Sequence, residues 1–332
     1  MTVRREDEAA DAVRDGSAVT PPGLAGRLAR FARARGGGAG ATVLKDTRVM
    51  VVRAGDVVVK AHPPETDEAA LTARLRAAAA LPGVLLPPLA DRPEFVSGRL
   101  VTVWPAGEPV DPADPVGAPW DVAAALLAPL HAAPPAPALP PAGAARLARA
   151  VARLDGLDGG LAAPAATILA AFRGLPGSAT APPATAPPAG GPPAGAPPFA
   201  QPRGQVAGRL THGDFHLGQI IRYEGEWLLI DVDDLGSGDP AWDLARPAAW
   251  YATGLLSPDL WERFLSAYLD AGGSAVPAAD PWRELDVPAR ALTVQLAATA
   301  VATAGAEGRP LDEVEQVLVS SCGRIARAGA PQ

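Results

Sequence analysis

Apolar and polar positions alternate differently in the two halves of the chain. In "PPGLAGRLARFARARGGG", Leu, Ala and Phe recur at helical spacing between arginines, which predicts one or two amphipathic helices within residues 1–40, stopped by a glycine cluster. "ATVLKDTRVMVVRAGDVVVKAH" then supplies β-branched runs on either side of Ala54-Gly55-Asp56, the pattern of an antiparallel hairpin whose second strand ends at Lys60. "PPETDEAALTARLRAAAAL" predicts a helix capped by Thr66 or Asp67, with Glu68 in its first turn. Two more short strands follow, turning at Ser97-Gly98 and ending at Trp104-Pro105.

From Trp120 onward the periodicity is helical, as in "WDVAAALLAPLHAA" and "AGAARLARAVARLDGL". Residues 174–205 are a Pro/Ala/Gly run too poor in apolar bulk to order itself, and are expected to form a flexible surface insertion. Strand pattern returns in "IIRY" and "WLLI" around Glu224-Gly225-Glu226. Pairing these two runs brings their outer ends, Gln219 and Asp231, together. The expected organisation is a helical segment over 1–40, a small lobe of sheet and helix over 41–106, and a mainly helical lobe over 107–332 that contains the insertion.

Composition narrows the partners. A net charge of −7 and a pI near 5.2 disfavour nucleic acid and anionic membrane surfaces, which are recognised by clustered Lys and Arg. A small-molecule partner is the default, and a monomer is expected. Cys322 has no second cysteine to pair with, the N-terminal stretch carries no apolar secretion signal, and Pro, Arg and Asp interrupt every Ala/Leu-rich run well short of the ~18 apolar residues a membrane span needs. A cytoplasmic protein is expected. Nearly every basic residue is Arg, so Lys45 and Lys60, the only lysines, stand out; Lys60 closes a strand, whereas Lys45 reads as a solvated strand residue.

The chemistry-bearing residues gather in "THGDFHLGQIIRYEGEWLLIDVDDLGSGDPAWDLA". An amide oxygen from Gln219 and a carboxylate from Asp231, met at one end of a hairpin, suit a hard cation such as magnesium, which takes oxygen ligands and completes its shell with phosphate and water. Asp214, in the turn before Gln219, can accept a proton from a hydroxyl without binding the metal. Together these describe phosphoryl transfer from ATP. His212 and His216 read as turn-holding residues, Asp239 as the cap of a helix whose first residue is Pro240, and Asp243 as a residue that bonds back to the turn.

The run H-G-D-x-H-x-x-Q followed by I-D-x-x-x-x-x-x-G-D-P-x-x-D-L-A resembles the aminoglycoside phosphotransferase superfamily, and "HGDFHLGQ" is similar to the maltokinases and actinobacterial glucosamine kinases within it. The resemblance implies an α+β, bilobal, protein-kinase-like fold. It implies Asp214 as catalytic base, Gln219 and Asp231 as magnesium ligands with Asp233 reaching a second ion, and Lys60 on the nucleotide phosphates with Glu68 as its helix partner. Val103, Trp104 and Ala106 would form the hinge whose backbone meets adenine. No GxGxxG phosphate loop precedes Lys60, because "RARGGGAGATVL" lacks that spacing.

Asp233, Asp234, Asp239 and Asp243 exceed what magnesium requires, so a cationic acceptor is expected, with Asp234 among its partners and Trp242 and Trp250 as stacking surfaces for a sugar. The acceptor this implies is D-glucosamine, phosphorylated at its 6-hydroxyl. A maltokinase, an aminoglycoside phosphotransferase and a non-catalytic nucleotide-binding pseudokinase are the alternatives.

Overall fold

The computed structural model describes residues 23–134, 138–140, 142, 145–177 and 208–328. The part of the expected N-terminal helical segment before Gly23, and the expected insertion from 178 onward, lie outside these residues. The chain forms two compact units, the first running to Leu126 and taking in Leu217–Asp234, the second holding Leu127–Pro135, Pro140–His216 and everything from Leu235 onward.

In the first unit, helix α1 (Gly23–Arg33) lies on an antiparallel sheet of β1 (Thr42–Asp46), β2 (Met50–Ala54), β3 (Val57–Ala61), β4 (Glu94–Val96) and β5 (Arg99–Pro105), in the order β1-β2-β3-β5-β4. The hairpin expected around Gly55 is present as β2–β3, and β1 adds a third strand that pairs with β2. Alternate residues Val52, Ala54, Val57, Val59, Val101 and Val103 turn inward against Leu28, Ala29 and Ala32 of α1, because side chains two apart share one face of a strand. The glycine cluster stops α1 and packs tightly: a Cβ on Gly37 would lie 2.8 Å from the carbonyl oxygens of both Ala32 and Ala54. These glycines therefore serve a close approach of helix end and sheet.

Helix α2 (Glu68–Ala79) is capped by Asp67, whose Oδ1 accepts from the N–H of Ala69 at 2.8 Å and of Ala70 at 3.2 Å. A second sheet, β6 (Glu108–Pro109), β8 (Ile220–Tyr223) and β9 (Glu226–Leu229), is ordered β6-β8-β9 and covers Leu86 with Ile221 and Leu228. The β8–β9 turn carries positive φ at Glu224 (51°) and Gly225 (91°), the hand that matches the twist of a two-residue hairpin.

Helix α3 (Trp120–Ala132) ends in the second unit, which is mainly helical as the periodicity predicts: α4 (Ala145–Ala152), α5 (Ala162–Arg173), α6 (Ala241–Thr253), α7 (Pro258–Asp270), α8 (Trp282–Glu307) and α9 (Glu313–Ala328). Leu147, Val151, Ile168, Val294, Val301 and Leu318 form its core. Ala-rich faces on α6 and α8 let those helices approach closely, since few side-chain atoms intervene. A two-stranded ladder, β7 (Arg209–Thr211) with β10 (Gly236–Gly238), holds the start of the HGD turn. Helix α6 begins one residue later than expected, with Pro240 at its cap, yet Asp239 Oδ1 still accepts from the N–H of Ala241 at 3.0 Å. Among the described residues no helix is long and apolar enough to cross a membrane.

Candidate active site

Within the first unit, the hairpin does what its pattern demands. Ile220 pairs with Leu229 at the open end, and the N–H of Ile230 donates to the carbonyl of Gln219 at 2.8 Å, so Gln219 and Asp231 meet: Gln219 Nε2 lies 3.5 Å from Asp231 Oδ2. Asp231 adopts a left-handed backbone, φ 61°, which a non-glycine residue accepts only at a cost of order 1–3 kcal/mol. Its carboxylate is thereby turned onto Lys60, whose Nζ lies 2.5 Å from Asp231 Oδ1 and 2.7 Å from Asp233 Oδ2. Burial opposes the charge on Lys60, but the two aspartates outweigh it and hold its pKa above the usual value. The ammonium stays charged.

The lysine's neighbours differ from the expected set. Glu68, the expected helix partner, is exposed in the first turn of α2, because the capping geometry at Asp67 directs that turn to solvent; Lys60 pairs instead with the 231–233 loop. Helix α2 contributes Arg74, on which the charges of Asp234 and Asp233 act. His62, two residues beyond Lys60, is buried, donates to or accepts from Thr102 Oγ1 at 2.9 Å, and lies 3.6 Å from Asp233 Oδ1. Burial drives its pKa down to about 4 despite the attraction of Asp233, so it is neutral at pH 7. Lys45 is exposed on β1, as expected. At the hinge segment, Val103 is buried in β5 with its carbonyl accepting from Leu89 N at 2.9 Å, the N–H of Ala106 donates to Asp56 O at 2.8 Å, and the Trp104 indole N–H donates to Thr102 Oγ1 at 2.9 Å.

Within the second unit, the HGD turn passes through Gly213 at φ 83°, a conformation open to glycine at little cost. Asp243, on the first turn of α6, clasps this turn from below. Its Oδ2 accepts from the N–H of His212 at 2.6 Å and its Oδ1 from the N–H of Gly213 at 2.8 Å, while His131 Nε2 lies 3.0 Å from Oδ2. Burial works to raise the Asp243 pKa, but the hydrogen bond and charge of His131, with the turn's own donors, prevail and lower it. His131 is in turn 2.9 Å from the Tyr268 hydroxyl, which accepts from Ala275 N at 3.0 Å and is pushed up to about 12 by burial.

Asp214 projects from that turn into a cleft lined by Arg146, Thr211, Phe215, Asp239, Trp242, Arg246 and Gln295 among others. Its carboxylate is held at both oxygens: Arg246 Nη2 lies 2.8 Å from Oδ1 and Arg146 Nη1 2.5 Å from Oδ2. Of the two expected stacking residues, Trp242 lines the cleft, whereas Trp250 is not among the lining residues, and its carbonyl accepts from Leu255 and Leu256 beyond the end of α6. Asp233 and Asp234 belong to the first unit. The sequence reading missed Arg74, Arg146 and Arg246. In a chain whose basic residues are almost all Arg, nothing in their spacing sets them apart.

Gln219, Asp231 and Asp233 offer two carboxylates and an amide oxygen, which fits magnesium, a cation usually held by one or two carboxylates together with substrate phosphates. No group of three or more His, Cys, Asp or Glu suited to a metal occurs among the described residues, so an all-protein metal cage is not what these residues form.

Solved structures share the fold at low identity. A choline/ethanolamine kinase family protein from Mesorhizobium loti superposes with a TM-score of 0.55 at 17% identity, covering 92% of this chain and 93% of that one. An amicoumacin kinase, solved with AMP-PNP, calcium and its antibiotic, gives 0.58 at 13% identity over 88% of this chain and 89% of that one. A thermostable mutant of an aminoglycoside phosphotransferase gives 0.52 at 13% identity over 91% of this chain and 99% of that one. No curated protein sequence matches. The family model described as "Phosphotransferase enzyme family" matches residues 33–285, most of the chain, and with the kinase-like fold in place this protein belongs to that family.

Proposed function

We propose that this protein is a magnesium- and ATP-dependent kinase that phosphorylates a hydroxyl of a small polar acceptor. The observation that carries the reading is Asp214: a carboxylate on a turn fixed from below by Asp243, projecting into a cleft that it shares with two arginines. Gln219, Asp231 and Asp233 would hold magnesium, which when bound neutralises phosphate charge. Lys60 keeps a fixed positive charge beside those carboxylates, suited to the nucleotide's phosphates. The amicoumacin kinase that shares the fold was solved with AMP-PNP, in keeping with ATP as donor.

In the reaction the acceptor oxygen bonds to the γ-phosphorus as the bond from that phosphorus to the ADP oxygen breaks. The hydroxyl proton passes to an Asp214 oxygen and then to water. Asp243 acts through the turn: by holding the N–H groups of His212 and Gly213 it keeps Asp214 aimed into the cleft.

The motif resemblance points to D-glucosamine as acceptor. The surplus aspartates, however, have partners of their own: Asp233 has Lys60, Asp234 acts on Arg74, Asp239 caps α6 and Asp243 holds the turn. They lend a cationic acceptor less support than their number suggests. Coupled assay of ADP release over glucosamine, N-acetylglucosamine, glucose, maltose and kanamycin tests the class, with Asp214→Asn as control. Turnover is expected to vanish in that variant while Mg-ATP binding persists; unchanged turnover would overturn Asp214 as base.

A second reading, a nucleotide-binding pseudokinase, is favoured by the pairing of both Asp214 oxygens with arginine. It predicts Mg-ATP binding without ADP release for every acceptor.

A further inference from the structure

Asp214 must offer a lone pair to the acceptor hydroxyl, yet each of its oxygens is engaged by a guanidinium. Arg146 comes from α4 and Arg246 from α6, so two separate elements converge on one carboxylate. A guanidinium carries five donors and no acceptor, so either arginine can turn spare donors toward a second anion in the cleft. The arginines and an incoming hydroxyl therefore compete for room around Asp214, although each carboxylate oxygen keeps a further lone-pair site.

The two arginines are not equivalent. The Arg246 side chain is about one-tenth exposed, and its Nε, on the guanidinium edge next to the Nη2 that meets Asp214, is buried without a hydrogen-bond partner. A buried donor left unfilled is costly, and an added acceptor group at that edge would recover the loss. The Arg146 side chain is one-third exposed and lines the same cleft, so it is the partner that can exchange. The other carboxylate in the lining, Asp239, accepts from Ala241 N at the start of α6, where the helix N-terminus offsets its charge. The remaining walls, Thr211, Phe215, Trp242, Leu292 and Gln295, are uncharged.

We propose that the acceptor carries an anionic group, carboxylate or phosphate, near the reacting hydroxyl, and that this group takes Arg146 from Asp214, releasing Oδ2 to accept the hydroxyl proton. Arg146 is then a specificity-determining residue: it favours an anionic acceptor by binding it and, through the same exchange, clears Oδ2 for the hydroxyl. The inference rests on the reading of Asp214 as that base, and it departs from the amino-sugar acceptor to which the motif points.

Isothermal titration of the full-length protein with matched probes, D-glycerate against glycerol, D-gluconate against D-glucitol and glucose 6-phosphate against glucose, tests it without requiring turnover. In at least one pair the anionic member should bind about tenfold or more tightly, the ratio expected for one charge-assisted hydrogen-bonded pair. The preferred pair tells carboxylate from phosphate. Arg146→Ala should erase that preference and leave the neutral member within about twofold, whereas Arg146→Lys, keeping charge but losing the planar fork, should retain part of it. Equal binding within all three pairs, tighter binding of D-glucosamine than of every anionic probe, or an Arg146→Ala effect equal for charged and neutral probes would overturn the proposal. The last result would make Arg146 a restraint on Asp214 alone. Anion binding lost in Arg146→Ala without ADP release for any acceptor would keep the anion site at Arg146 but overturn its part in freeing a base, together with the kinase reading.

Discussion

Asp243 is almost fully buried, and each of its oxygens accepts a backbone N–H from the turn that carries Asp214. Its pKa is lowered in the fold, so the folded protein binds its proton more weakly than the unfolded chain, whose carboxylate titrates near ~4. Its contribution to stability is therefore present above pH ~4 and is lost as pH falls through the lower, folded value. Urea midpoints followed from pH 7 to pH 3 should drop less steeply for Asp243→Asn than for the wild type over that acid range. Parallel curves would show that Asp243 is not an ionised anchor. Asp243→Ala, which leaves the two N–H groups and His131 without their acceptor, should cost about 3–5 kcal/mol. Cys322 gives a simpler check at the same scale. Burial pushes its thiol up to about 12, so the folded protein should resist thiol reagents at pH 8 and react fully once unfolded; prompt reaction in the native state would contradict its position in the helical core.

At the scale of elements, the β8–β9 hairpin has the sharpest sequence logic and one improvable residue. Glu224 holds φ 51° in a turn position that Asn tolerates better, so Glu224→Asn should raise stability by about 0.5–1 kcal/mol, read as a higher denaturant midpoint with an unchanged slope. An unchanged or lower midpoint would argue that the glutamate does more than turn. This hairpin, the Asp67 cap and the Ser97-Gly98 turn were legible because each is encoded within a few consecutive residues. The meeting of Gln219 with Asp231 followed from strand pairing alone. By contrast β10 reads Gly-Ser-Gly, which carries no strand propensity, and pairs only because β7 lies beside it. The partners of Lys60 were illegible for a related reason: Asp231 is 171 residues away, and nothing local to β3 distinguishes it from Glu68, the nearer and plausible acid. Arg146 and Arg246 reach Asp214 from two helices whose repetitive Ala/Arg composition hides them.

The chain crosses between its two units within the motif itself: His216 closes a piece of the second, Leu217–Asp234 belongs to the first, and Leu235 returns to the second. Asp214 and Gln219, five positions apart in sequence, thus belong to different packing units, each fixed by its own core. Ligands for the two roles should then act on stability through different side chains. A ligand that binds only the folded state at a hundred times its Kd adds about 2.7 kcal/mol, or roughly 2–4 °C in Tm for a chain of this size. Mg-ATP is expected to give such a shift. ATP with the metal chelated should give much less, because Lys60 alone would face the phosphates while Asp231 and Asp233 add like charge beside them. Asp231→Asn should abolish the difference between the two conditions, and Asp214→Asn should leave it intact, since the proposed reading gives Asp214 no part in holding nucleotide. Equal shifts with and without the metal in the wild type would remove Asp231 and Asp233 as magnesium ligands. Loss of the Mg-ATP shift in Asp214→Asn would mean that base and nucleotide site are not separable functions of the two units.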